Sequence, residues 1–142
     1  MAYAAAEVDV EVSADALYAY LADFGSVGWM QGVTRVDVEG DGPGMTRSVY
    51  AGGDQAIVEV LESLDPEARR VGYTITQNNP LPVEGYHATC TAIDLGPAKS
   101  RLRWACDFTP AAGTEEAAAI AQVEAMYAVL AGWVKAALEE SI

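Results

Sequence analysis

Basic side chains are scarce in this sequence. Lysine and arginine together number 8 against 21 aspartates and glutamates in 142 residues, a formal net charge of −13. Without a basic surplus to neutralise phosphates, direct nucleic-acid binding and docking on an anionic membrane surface are both disfavoured. Histidine occurs once and cysteine twice. That leaves a zinc site short of its usual nitrogen and sulfur donors, and the acidic residues show no EF-hand spacing, so no metal is expected. No Walker loop and no dinucleotide fingerprint is present, and no cofactor is expected. The serines lack the His and Asp partners of a hydrolase triad.

A basic n-region is also missing from the start, where Glu7, Asp9 and Glu11 interrupt any apolar run. Neither a signal peptide nor a transmembrane span is expected, and the predicted location is cytoplasmic. Cys90 and Cys106 are then expected as reduced thiols, serving as small core residues. What the chain does have is apolar content, 51% hydrophobic against 20% charged residues. That is globular, and the length predicts one domain over residues 1–142.

The most helical stretch is the last, Thr114 to Ser141. Val123, Met126, Tyr127, Leu130, Trp133, Val134, Ala137 and Leu138 recur at three- and four-residue steps and share one face. Thr114 is the expected N-cap, with Glu115 and Glu116 in the first turn where the helix dipole favours them. Ahead of it come strands. Val8, Val10 and Val12 alternate with acids over residues 3–12. Ser13 caps a short helix with Leu17, Tyr18, Leu21 and Phe24 on one face, and a second helical turn carries Val27, Trp29 and Met30. Six further strands are read at 33–39, 45–51, 55–64, 69–77, 86–95 and 100–109, separated by Gly-, Pro- and Asp-rich turns. Short turns between successive strands predict an antiparallel meander, so the fold class is α+β, a curved sheet around one long C-terminal helix.

This order, with SADALYAYLADF at Ser13–Phe24, WMQGV at Trp29–Val33, VEVLESLD at Val58–Asp65, GYHAT at Gly85–Thr89 and RWACDFTP at Arg103–Pro110, resembles the Bet v 1-like, or START-like, superfamily. That superfamily is also called SRPBCC or polyketide cyclase/dehydrase-like. The resemblance implies a helix-grip fold, seven strands around the helix with two short helices after strand 1, and a hydrophobic cavity between sheet and helix. It also implies that residues 51–55 and 78–85 form the cavity mouth. The sequence departs from the hormone-receptor branch, whose gate sequence is replaced by AGGDQ and whose carboxylate-binding lysine falls at Met30. Lys99 and Lys135, the only lysines, do not match the lysine of norcoclaurine synthases.

Among acids, Glu59 is singled out because it sits mid-strand at a position that the resemblance aligns with a cavity glutamate. There it would serve as a general base or a hydrogen-bond partner. Arg47, on the neighbouring strand, is its expected partner. Tyr73 and Tyr86 lead apolar strand faces, and a buried phenol keeps one polar handle. These four are the catalytic candidates. Trp29, Met30, Val49, Leu61 and Ile75 are expected to line the ligand cavity, with Leu81, Ala88, Trp104, Met126 and Leu130. His87 alternates out of phase with Tyr86 and Ala88 and is read as facing outward. The expected partner is a small hydrophobic molecule, aromatic or polyketide-like. Three readings of function stand: a cyclase or dehydratase using proton transfer, a non-catalytic carrier or sensor, and a protein docking through its acidic surface.

Overall fold

The computed structural model describes residues 1–140. Its elements are β1 (Ala2–Val10), α1 (Ala14–Ala22), β2 (Arg35–Glu39), β3 (Thr46–Tyr50), β4 (Ile57–Asp65), β5 (Arg70–Gln77), β6 (Val83–Gly96), β7 (Lys99–Pro110) and α2 (Glu116–Glu140). The strands form one antiparallel sheet in the order β1-β7-β6-β5-β4-β3-β2, so that every sequential pair from β2 onward is a hairpin and β1 crosses to the far edge. There Ala2 stands opposite Phe108 and Val10 opposite Ser100.

Alternation fixes the inner face. Val71 and Tyr73 of β5, Tyr86, Ala88, Cys90 and Ala92 of β6, and Leu102, Trp104, Cys106 and Phe108 of β7 are all buried. The sheet bends where extra residues interrupt the ladder, at Thr76 and Glu62 in the β4–β5 pairing and at Gly85–Tyr86 in the β6–β7 pairing. Gly85 has φ +58, a left-handed conformation that costs a glycine little, and the bulge there starts β6 at Val83, within the stretch read from sequence as a loop. Gly72 is needed for room, since a Cβ there would come within 2.5 Å of Ser63 Oγ.

The α1 helix forms where Ser13 Oγ accepts from the Ala16 N–H at 3.1 Å. It buries Ala14, Leu17 and Leu21 against β5, β6 and β7. The second helical piece expected near Trp29 is a single turn, closed by Met30 N–H donating to Val27 O at 2.9 Å. Glycines at 25, 28 and 32 keep it from continuing. The α2 helix starts later than expected: its first bond runs from Ala119 N–H to Glu115 O, so Glu115, not Thr114, stands at the cap position. Its expected end at Ser141 lies outside the described residues.

By length and composition α2 is apolar enough to cross a bilayer, but here it packs along β1 and β7. Ala119, Val123, Tyr127, Ala131, Val134 and Leu138 form the buried seam. Met126, Leu130 and Trp133 are only half-buried, because they overhang the other half of the concave sheet. The helix is thus turned slightly from the centring on Leu130 that its sequence suggests.

Candidate functional site

Between that overhang and strands β3 to β6 lies a cavity of about 320 Å³. This is the low end of the range for small-molecule sites. Val49, Glu59, Ile75 and Tyr86 supply its floor, Met126, Tyr127, Leu130 and Trp133 its roof. Met30, Ala51, Pro80 and Leu81 contribute from the connecting loops. The two loops are tied together by Asn78, which adopts φ +58 and donates from Nδ2 to Ala56 O at 2.7 Å. Pro82 O in turn accepts from Ala111 N–H at 2.9 Å, anchoring the second loop near the start of α2.

Glu59 enters through the pleat of β4: Glu59 and Leu61 face inward, and Arg47 stands directly opposite Glu59 on β3. Arg47 Nε donates to Glu59 Oε1 at 2.5 Å, and its Nη1 donates to Phe24 O at 2.8 Å. The guanidinium lies 3.9 Å from the centre of the Phe24 ring. Both members of the pair are buried, Arg47 at 4% and Glu59 at 7% exposure. Among the described residues none donates to Glu59 Oε2, and Glu59 lines the cavity while Arg47 does not. The arginine sits behind, beside a void of about 20 Å³ shared with Tyr73, Cys90 and Trp104. That is room for a single water.

The phenols form a connected cluster. Trp104 Nε1–H donates to Tyr73 Oη at 3.0 Å, and the hydroxyls of Tyr86 and Tyr127 are hydrogen-bonded to each other. Trp104 stacks on Tyr127 with centroids 5.6 Å apart, and Tyr73 meets Tyr86 edge-on at 6.3 Å. Burial pushes the acidity of all three phenols well below normal, so each stays protonated through neutral pH. Burial likewise raises the Cys90 and Cys106 thiols.

Of the residues singled out from sequence, Glu59, Tyr73, Tyr86, Met30, Val49, Ile75, Leu81, Met126 and Leu130 border the cavity. Trp29 and Trp104 lie deeper, against the small void, and Leu61 and Ala88 are packed core. Leu61, Ala88 and Trp104 face inward as alternation requires, but α1 and the segment after it, which carries Trp29, cover that part of the sheet. His87 is exposed and pairs with Glu62 at 2.9 Å, outside the cavity. Tyr127, Trp133, Gln31 and Pro80 were not singled out. Tyr127 carried a signal, a phenol within the apolar stripe of a helix, where a hydroxyl needs a partner. Among the described residues no cluster of three His, Cys, Asp or Glu side chains could hold a metal ion.

The fold is that of several solved proteins. An uncharacterised protein from Bacillus thuringiensis superposes with TM-score 0.81 at 23% identity, over 96% of this chain and 98% of that one. Norcoclaurine synthase from Thalictrum flavum, solved with dopamine and hydroxybenzaldehyde, gives TM-score 0.76 at 16% identity, covering 97% and 86% of the two chains. The Zhui aromatase/cyclase from Streptomyces sp. R1128 gives 0.73 at 20% identity, covering 96% and 93%. No curated protein sequence matches at a significant level. The model of one family, polyketide cyclase/dehydrase and lipid transport, matches residues 1–142. With its seven-stranded sheet gripping α2, the chain therefore belongs to that family and has its Bet v 1-like fold.

Proposed function

We propose that the cavity binds a small hydrophobic molecule, aromatic or polyketide-like, and that the protein acts on it by proton transfer of the cyclase, aldol or dehydration kind. One observation carries this reading. Glu59 presents an unpartnered carboxylate oxygen to an otherwise apolar cavity, with protonated phenols at the same end. A carboxylate removed from water can take a proton from a carbon beside a carbonyl, and phenol O–H groups can stabilise the oxyanion that forms. In this scheme Glu59 is the base, the Tyr86–Tyr127 pair is the donor, and Arg47 holds Glu59 in place. Family membership supports the ligand class, and similarity below 25% to the solved enzymes leaves the reaction to be argued from the cavity.

A second reading, a non-catalytic carrier or sensor, is favoured by the Arg47–Glu59 contact itself. An acid held at 2.5 Å by a buried guanidinium is well suited to orienting a ligand without reacting. The Glu59→Gln variant separates the two. For an enzyme, ligand binding persists and turnover falls by roughly 10²–10⁴-fold, as for a lost general base. For a carrier, no compound in a panel of aromatic ketones and polyketide-like substrates yields product with the parent protein. Full activity in Glu59→Gln would remove the base from Glu59.

A further inference from the structure

The polar end of the cavity has a hydrogen-bond polarity that its residue types alone do not reveal. An indole N–H can only donate, so Tyr73 Oη must be the acceptor from Trp104 and its own hydrogen is directed elsewhere. The Tyr86 and Tyr127 hydroxyls are hydrogen-bonded to each other. That contact uses one of their two hydrogens and leaves one O–H to spare. The cluster is fed a donor from behind and has a donor left at the front.

Charge adds a second constraint. The cavity lining contains no lysine, arginine or histidine. The nearest buried cation, Arg47, is spent on Glu59 Oε1 and Phe24 O and lies behind the acid. An anionic guest would meet the Glu59 carboxylate with no counter-charge, and burying an unpaired anion is costly.

We infer that the cavity selects neutral carbonyl compounds, whose acceptor oxygen takes the spare phenol hydrogen at Tyr127 or Tyr86, and rejects carboxylates of the same shape. This rests on the ligand-binding reading above and narrows it: free fatty acids and aromatic acids are excluded, ketones, aldehydes and esters admitted. Tyr86 and Tyr127 become the specificity-determining residues.

The test uses three probes of one ring system, naphthalene, 2-acetylnaphthalene and 2-naphthoate, titrated against the full chain by calorimetry at neutral pH. The ketone should bind about 2- to 12-fold more tightly than naphthalene, the worth of one neutral hydrogen bond. The naphthoate should bind at least about tenfold more weakly than the ketone. In the double variant Tyr86→Phe/Tyr127→Phe, which removes both hydroxyls, the advantage of the ketone should shrink while naphthalene keeps its affinity, a pattern that a general loosening of the fold would not give. Should that variant fail to fold, the parent protein's ranking of the three probes stands as a test by itself. Equal binding of ketone and naphthalene, or tighter binding of the naphthoate, overturns the inference and leaves cavity binding intact. Failure of all three probes, naphthalene included, overturns the binding reading and this inference together.

Discussion

Arg47 and Glu59 face each other across adjacent strands with no residue between them, joined at 2.5 Å and almost shut off from solvent. Such a pair recovers its desolvation cost only while both members are present. Arg47→Ala and Glu59→Ala should therefore each cost about 3–5 kcal/mol, because each leaves a buried charge alone. The double replacement by Ala should cost less than the sum of the two. Urea melts of the three variants give the coupling energy directly, and additive losses would mean that the pair is not coupled.

Leucines on the two sides of the cavity should respond differently. Leu61 is 1% exposed and packed, so Leu61→Ala should cost roughly 2–5 kcal/mol. Leu130 overhangs the cavity and is already half-buried. Its truncation enlarges an existing space rather than opening a new one, and should cost less than that of Leu61. Equal losses in denaturant melts would place Leu130 in the packed seam of α2.

This contrast marks how far the sequence could be read. Seven strands, their order of hairpins and the long helix were legible because periods of two and 3.6 persist over many residues. The inward direction of Tyr73 and Tyr86 followed from the same alternation, whereas that of Glu59 came from the family resemblance, since both faces of its strand mix apolar and acidic residues. Depth did not. Leu61, Ala88 and Trp104 face inward as surely as Ile75, but whether an inward residue meets α1, α2 or open space depends on the curvature of the sheet. That curvature arises at bulges such as Gly85–Tyr86, which a pattern of alternation does not announce. Gln31 and Pro80 sit in loops, where no period exists to assign a face. Tyr127 was read as one more apolar contact, since its hydroxyl partner, Tyr86, lies 41 positions away.

The two thiols should be slow to react. Cys90 and Cys106 are buried, and burial raises both, so little thiolate forms at neutral pH. A thiol reagent at pH 7 should label neither cysteine rapidly in the native protein and both at once in denaturant. Fast labelling in the native state would contradict their burial.

Acid should weaken the join between the N-terminal strand and its neighbours. The Arg101 hydrogen bond lowers Asp9, and the Lys135 hydrogen bond, with the Glu11 N–H, lowers Glu139. A carboxylate depressed in the folded state lends stability above its unfolded pKa, about 3.9 for Asp and 4.3 for Glu, and loses it as pH falls through the folded value. The stability difference between the parent protein and Asp9→Asn should therefore be largest near neutral pH and shrink below about pH 4. Both groups are only half-buried and still reached by solvent, so the difference should also shrink in roughly 1 M salt. A gap that is constant from pH 7 to pH 3 would remove Asp9 from the account.

Strand β1 lies at the edge of the sheet against β7, under α2, and so its partners are the last two elements of the chain. On a ribosome it is made before the other six strands and is paired after them. Every residue from 11 to 98 emerges before β7 offers it a ladder, and α2 follows later still. The β2–β6 hairpins can form as they appear, whereas closure by β1 requires contacts across about a hundred residues and sets a slow final step. Until then the alanine-rich strand Ala2–Val10 has an unpaired backbone, and the alternating Glu7 and Asp9 on it act as gatekeepers against pairing with another chain.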